Sequence, residues 1–140
     1  MRNKLPTRLV GLMLGDVVVF GLVTIAGFTR HGELGSPGGA GVRMLTTFLP
    51  LCAAWGLIAP WLGVFDFSRV VQPWQLWRPL LAMALAAPMV GWLRGLWLNE
   101  AIPPVFVLVI GAFSALGIIL WRALWILLLR PRLARQVPDG

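Results

Sequence analysis

A chain of 140 residues that is 59% hydrophobic, with a mean hydropathy of +0.84, leaves almost nothing for a soluble domain and belongs with membrane proteins. Its formal net charge of +7 is not a nucleic-acid footprint, because the basic residues bracket apolar runs instead of forming one patch or stripe. One cysteine, Cys52, and one histidine, His31, exclude an intramolecular disulfide and an all-protein zinc site.

The first apolar run, residues 9–28, has the length that crosses a bilayer as a helix. It follows Pro6 and Thr7, with Thr7 placed to cap it and Arg8 at the membrane surface. The basic start resembles a signal peptide, but the run is too long, contains Asp16 and lacks an A-x-A-like site before Thr29; the expectation is a retained span. Gly11 and Gly15 are four apart, a small-xxx-small face that permits close helix approach. Asp16 beside them is the most informative residue in the chain. At about 1.5 Å rise per residue it lies roughly 10 Å inside the span, where an ionisable group marks a functional or assembly site and requires a partner.

The connector 29–43 is rich in glycine and reads as a flexible linker; it has no G-x-x-x-x-G-K-[ST] pattern and no preceding strand, so it is not a phosphate loop. The second run, 44–65, contains Pro50 and Pro60, which membrane helices accommodate by bending. Cys52 within it reads as a small packed apolar residue. Residues 66–78, with Trp74 and Trp77, read as a segment lying in the membrane interface. The third span, 79–98, carries Pro88 at its middle and Arg94 near its outer end. The turn 99–104 is short, and the fourth span is 105–129. The predicted fold is therefore an all-α, integral membrane four-helix bundle forming a single membrane domain, with no internal repeat.

Orientation follows from charge. With the N-terminus inside, the inner segments hold Arg2, Lys4, Arg8, Arg69, Arg78, Arg130, Arg132 and Arg135, and the outer segments hold only Arg30 and Arg43. Eight against two predicts N-in, C-in in the cell membrane, with an inner face that attracts anionic headgroups. Eight tryptophans in this length form an aromatic belt: Trp61, Trp74, Trp77 and Trp125 near the inner interface, Trp92 and Trp97 near the outer. Trp55 and Trp121 lie deeper. They are the positions for the alternative, a surface stacking on a chlorophyll-type pigment, a carotenoid or a quinone.

Arg94 reads as an interfacial anchor that snorkels outward, towards Glu100 across the turn. Arg122 is about seven residues from the inner end of the fourth span, and Asp16 is about seven from the inner end of the first, so both lie at the same depth. Pairing them removes much of the cost of burying either charge. The competing reading has Arg122 snorkelling to inner headgroups while Asp16 is protonated or faces a polar cavity. His31, just outside the first span, is either a solvated interfacial residue or an axial ligand to a haem or chlorophyll. Ser36, Ser68 and Ser114 have no histidine partner outside a flexible loop, so a catalytic triad is not expected.

Three stretches carry a family resemblance: Leu14, Gly15 and Asp16; Arg30, His31 and Gly32; and Leu93, Arg94 and Gly95 followed by residues 102–109, then Trp121 and Arg122. In order and spacing they resemble the prokaryotic membrane protein family called domain of unknown function 3054, over about residues 9–126. Thr29 departs from the pattern, where a more basic residue is expected. The resemblance implies a small four-helix membrane protein, marks Asp16, His31, Arg94 and Arg122 as motif positions, and carries no activity with it. The functional expectation is a non-enzymatic accessory subunit of a larger respiratory or photosynthetic membrane complex, packing through Gly11 and Gly15 against other subunits, with packing inside the four-helix bundle as the other use of that face. One alternative is a small homodimeric proton-coupled transporter using Asp16. The other is a pigment- or quinone-binding subunit.

Overall fold

The computed structural model describes residues 4–30 and 39–134. The flexible-linker reading of 31–38 and the ligand reading of His31 lie outside the described residues. Helix α1 (Lys4–Arg30) starts ahead of the apolar run, with Pro6 in its first turn, where a missing N–H breaks no helical hydrogen bond. Then come α2 (Ala40–Ile58), a short α3 (Phe67–Val70), a 3-10 turn (Pro73–Leu76), α4 (Trp77–Leu98) and α5 (Pro104–Ala134). Among the described residues four helices are long and apolar enough to cross a membrane, and there is no strand. The protein is an all-α, multi-pass membrane protein in contact with lipid.

The four long helices close a ring: α2 packs on α4, α4 on α5, α5 on α1 and α1 on α2. The short connector between α4 and α5 makes those two consecutive helices antiparallel neighbours. Between α4 and α5 the turn is tightest. Asn99 caps α4 in the left-handed region (φ 52°), where Asn is tolerated, and its N–H bonds Gly95 O. The core of the bundle is Phe20 from α1, Leu51, Ala54 and Trp55 from α2, Ala82, Met83, Ala86 and Val90 from α4, and Ala115 and Ile118 from α5. Small residues dominate the α4 share, which brings its backbone close to its neighbours. Hydrocarbon offers no hydrophobic gain for helix association, so close contact has to supply the attraction.

The second span differs from the expected 44–65. It runs from Ala40 to Ile58 and stops before Pro60. Pro60 has no N–H to continue the ladder, and Gly63 adopts a left-handed φ of 64° that turns the chain. Gly63 N then bonds Pro60 O at 3.0 Å and Val64 N bonds Ala59 O at 3.1 Å. Pro60 therefore ends the helix where a bend was expected, while Pro50 stays inside it. The segment 66–76 is folded as well. Asp66 caps α3, accepting from Ser68 N at 3.1 Å and from Ser68 Oγ at 2.7 Å. These bonds, with Arg69 beside them, hold the Asp66 carboxyl below its ordinary range.

Trp61, Trp74 and Trp77 are exposed around this connector, and Trp92 and Trp97 are exposed towards the other end of α4. That is the distribution an interfacial belt requires. Trp125 departs from it. Half-buried, it packs so that a Cβ at Gly11 would stand 3.1 Å from its ring. Trp121 covers Gly15 in the same way, and a Cβ there would overlap its indole. The glycine face of α1 is thus filled by two tryptophans of α5, whose rings lie 5.3 Å apart. Of the two uses expected for Gly11 and Gly15, contact with another subunit or packing within the bundle, the geometry fits the second: they receive α5.

This packing separates the glycines of α1. Gly15→Leu should lower the thermal midpoint of the protein in mild detergent, by an amount corresponding to about 1–3 kcal/mol of overpacking. Gly27→Leu, with nothing within 4 Å of the added Cβ, should leave it nearly unchanged. Equal midpoints for the two variants would show that α5 does not occupy Gly15.

Candidate functional site

Asp16 comes from the buried face of α1, in a column of residues four apart: Leu12, Asp16, Phe20, Thr24 and Phe28, all buried. A spacing of four places side chains one above another on one helix face. On α5 the facing column is Ile110, Ser114, Ile118, Arg122 and Ile126, also buried. Asp16 is 1% exposed and Arg122 is 2% exposed.

The two meet through a two-pronged contact. Arg122 Nη2 donates to Asp16 Oδ2 at 2.6 Å, and Arg122 Nε donates to Asp16 Oδ1 at 3.2 Å. The planar guanidinium fork matches a carboxylate in this way, and the match is specific to arginine. Trp55 of α2 donates its indole Nε1–H to Asp16 Oδ2 at 3.2 Å. Three donors converge on two oxygens, the arrangement suited to an acceptor-only carboxylate. The remaining edge of Arg122 donates from Nη1 to the backbone carbonyl of Val64 at 2.9 Å, and its Cζ stands 5.6 Å from the centre of the Phe65 ring. The structure thus brings Asp16 and Arg122 together and commits the guanidinium to that carboxylate and to the Val64 carbonyl.

Sequence reasoning did not find Trp55 or Val64. Trp55 is 4% exposed, with its faces and edges engaged by Phe20 (centroids 5.6 Å) and Phe65 (6.4 Å), both edge-on. It is a hydrogen-bond donor inside the bundle, where the sequence suggested a surface for a pigment. The signal was present, since Trp55 lies four residues after Leu51 and four before the buried Ala59. Val64 had no signal. Its carbonyl is available because α2 ends six residues earlier, and a backbone acceptor leaves no mark on side-chain identity. Trp121 also donates inward, from Nε1 to Leu12 O at 3.2 Å.

Arg94 also departs from expectation. Its Nη1 donates to Arg43 O and to Thr46 Oγ1, each at 3.2 Å, and to Thr47 Oγ1. Both threonine hydroxyls donate to Arg43 O, at 2.8 and 3.2 Å. The Arg94 guanidinium lies 4.8 Å from the centre of the Phe106 ring. Where the sequence sends Arg94 towards Glu100, the structure turns it onto the first turns of α2, because a carbonyl and two hydroxyls are gathered there. Glu100 is exposed on the turn.

Asp16 and Arg122 should behave as one unit in stability. Asp16→Ala or Arg122→Ala alone should cost about 3–5 kcal/mol, since each leaves a buried charge unpaired. The double variant should lose less than the sum. Reversible unfolding in mild detergent measures the cycle, and strictly additive losses would show that the two charges do not depend on each other.

Among the described residues no group of three or more His, Cys, Asp or Glu side chains is placed to hold a metal. Comparison with curated proteins and with solved structures yields no match. A family model matches residues 13–125, a stretch that includes Asp16, Trp55, Arg94 and Arg122. The chain belongs to the family described as "Protein of unknown function (DUF3054)".

Proposed function

We propose that this chain is a non-enzymatic structural subunit of the cell membrane, with both termini cytoplasmic, that packs laterally within a larger membrane protein complex. The observation that carries the reading is the closed state of the intramembrane charges. Asp16 and Arg122 neutralise each other, and Trp55 and the Val64 carbonyl take up further polar capacity. A proton-coupled carboxylate has to exchange its proton with water during its cycle. Burial without a countercharge favours that task, and an arginine fork opposes it.

Apolar surface faces outward instead. An open groove of about 620 Å³ between α4 and the start of α5 is lined by Gly91, Trp92, Leu96, Ile102, Val107 and Leu108. Trp92 is 63% exposed and Leu108 71%. Since α5 fills the glycine face of α1, this groove is the place for a neighbouring subunit to seat a helix. The orientation rests on the eight-to-two distribution of basic residues.

In mild detergent the protein should migrate with larger membrane proteins. Trp92→Ala combined with Leu108→Ala should release it without impairing membrane insertion. In liposomes a transporter would give pH-gradient-driven flux that disappears in Asp16→Asn, and such flux from the isolated protein would overturn the subunit reading. In a Cys52→Ala background, a cysteine at position 101 should label from outside intact cells and one at position 68 should not. The reverse pattern would invert the orientation.

A further inference from the structure

The turn that ends α2 builds a second polar feature, apart from the Asp16 carboxylate. Gly63 sits between two arginines: a Cβ placed on it would stand 3.0 Å from Arg69 Nη1 and 3.5 Å from Arg78 Nη1. Beside it is a notch of about 20 Å³, lined among others by Gly63, Arg69, Gln72, Gln75, Arg78 and Arg122. That volume suits one water-sized group, the size of a single phosphate oxygen.

The donors around the notch are partly committed. Arg78 donates from Nη1 to Leu62 O at 2.8 Å and from Nε to Gln75 Oε1, which leaves its Nη2 and the Gln75 amide N–H groups as donors. Arg69 is 45% exposed and gives its Nε to Asp66 at 3.1 Å, and among the described residues its two Nη groups remain. Among the described residues around the notch three arginines, Arg69, Arg78 and Arg122, stand against two carboxyl groups, Asp66 and Asp16. The notch also lies at a defined depth. Trp61, Trp74 and Trp77, exposed at 90%, 69% and 50%, surround this end of the bundle, and exposed indoles settle at headgroup level.

We propose that the notch binds the phosphate of an anionic phospholipid headgroup, with one oxygen in the notch and the others facing Arg69 and Arg78 at its rim. Arginine forks are suited to phosphate recognition. The bonds of Arg78 to Gln75 and Leu62 fix its guanidinium before any ligand arrives. Asp66 orients Arg69 by its Nε and leaves the Nη edge open. The site does not depend on lateral packing with a partner or on which way the chain crosses the membrane.

The test is native mass spectrometry of the detergent-solubilised protein, given equal amounts of phosphatidylglycerol and phosphatidylcholine. Phosphatidylglycerol should be retained in preference. Arg69→Gln should lower that preference about fivefold, the effect of one basic residue at a membrane surface, with an unchanged thermal midpoint. Arg78→Gln should lower it at least as much, and Arg30→Gln at the far end of α1 should not change it. Equal retention of the two lipids, or an undiminished preference in Arg69→Gln, would overturn the site. Millimolar inorganic phosphate separates the two sources of the same chemistry. Failure to displace the lipid supports a headgroup site, and displacement with a bound phosphate adduct would reassign the notch to the free anion and overturn the lipid assignment.

Discussion

The Asp16–Arg122 pair is the contact on which the rest of this bundle depends. Helix association in hydrocarbon gains nothing from apolar burial, so many registers of two greasy helices are close in energy. One buried, hydrogen-bonded carboxyl–guanidinium pair removes that degeneracy, because any slip of α1 along α5 leaves both groups without partners. The columns through the pair follow from it. If Asp16 faces Arg122 and the helices run antiparallel, a spacing of four puts Leu12 level with Ile126, Phe20 with Ile118, Thr24 with Ser114 and Phe28 with Ile110. All ten are buried. Apolar layers therefore alternate with polar ones, and the Phe20–Ile118 layer separates the ion pair from the hydroxyls beyond it.

A second arginine repeats the device towards the other end of the bundle. Arg122 and Arg94 each donate to a backbone carbonyl outside their own helix, Val64 O in the turn after α2 and Arg43 O in the first turn of α2. Each also lies over a phenylalanine, Phe65 or Phe106. Deep in the bundle Arg122 has Asp16, and a charge that far from water needs a full countercharge. Among the described contacts Arg94 is also met by the hydroxyls of Thr46 and Thr47. Together they tie α2 to α5 near one end and to α4 near the other.

Much of this was legible in the sequence, for physical reasons that also mark where legibility stops. Run length and hydropathy gave the four spans because a bilayer imposes both. The equal depth of Asp16 and Arg122 could be counted from helix rise, and the likeness to the family rested on the stretches that hold those residues. The end of α2 at Ile58 was not legible, because Pro60 reads equally well as a kink or a stop until the left-handed turn at Gly63 is seen. Arg94 was misread for a related reason. Glu100 was visible as a charge, while the described acceptors of Arg94 include a carbonyl and two threonine hydroxyls gathered on another helix. A small-xxx-small pattern such as Gly11 and Gly15 declares a close approach without naming what approaches, and here the occupants are Trp121 and Trp125 of the same chain.

That last point bears on how so small a protein uses its tryptophans. Eight indoles in 140 residues exceed what two interfaces require. Five of them, Trp61, Trp74, Trp77, Trp92 and Trp97, are exposed and suit the interface. The other three are structural. Trp55 donates to Asp16, Trp121 donates to Leu12 O while filling the space over Gly15, and Trp125 packs over Gly11. Glycine on one helix opposite tryptophan on the next is an asymmetric form of close packing. The α1 backbone is left bare, and a broad, rigid ring covers it with many dispersion contacts. The arrangement is directional, because Gly11 and Gly15 of α1 meet rings of α5, whereas Gly117, the α5 glycine against α1, meets Val19 and Val23. It reinforces the same pairing of helices that the ion pair selects, so charge and shape specify one register together.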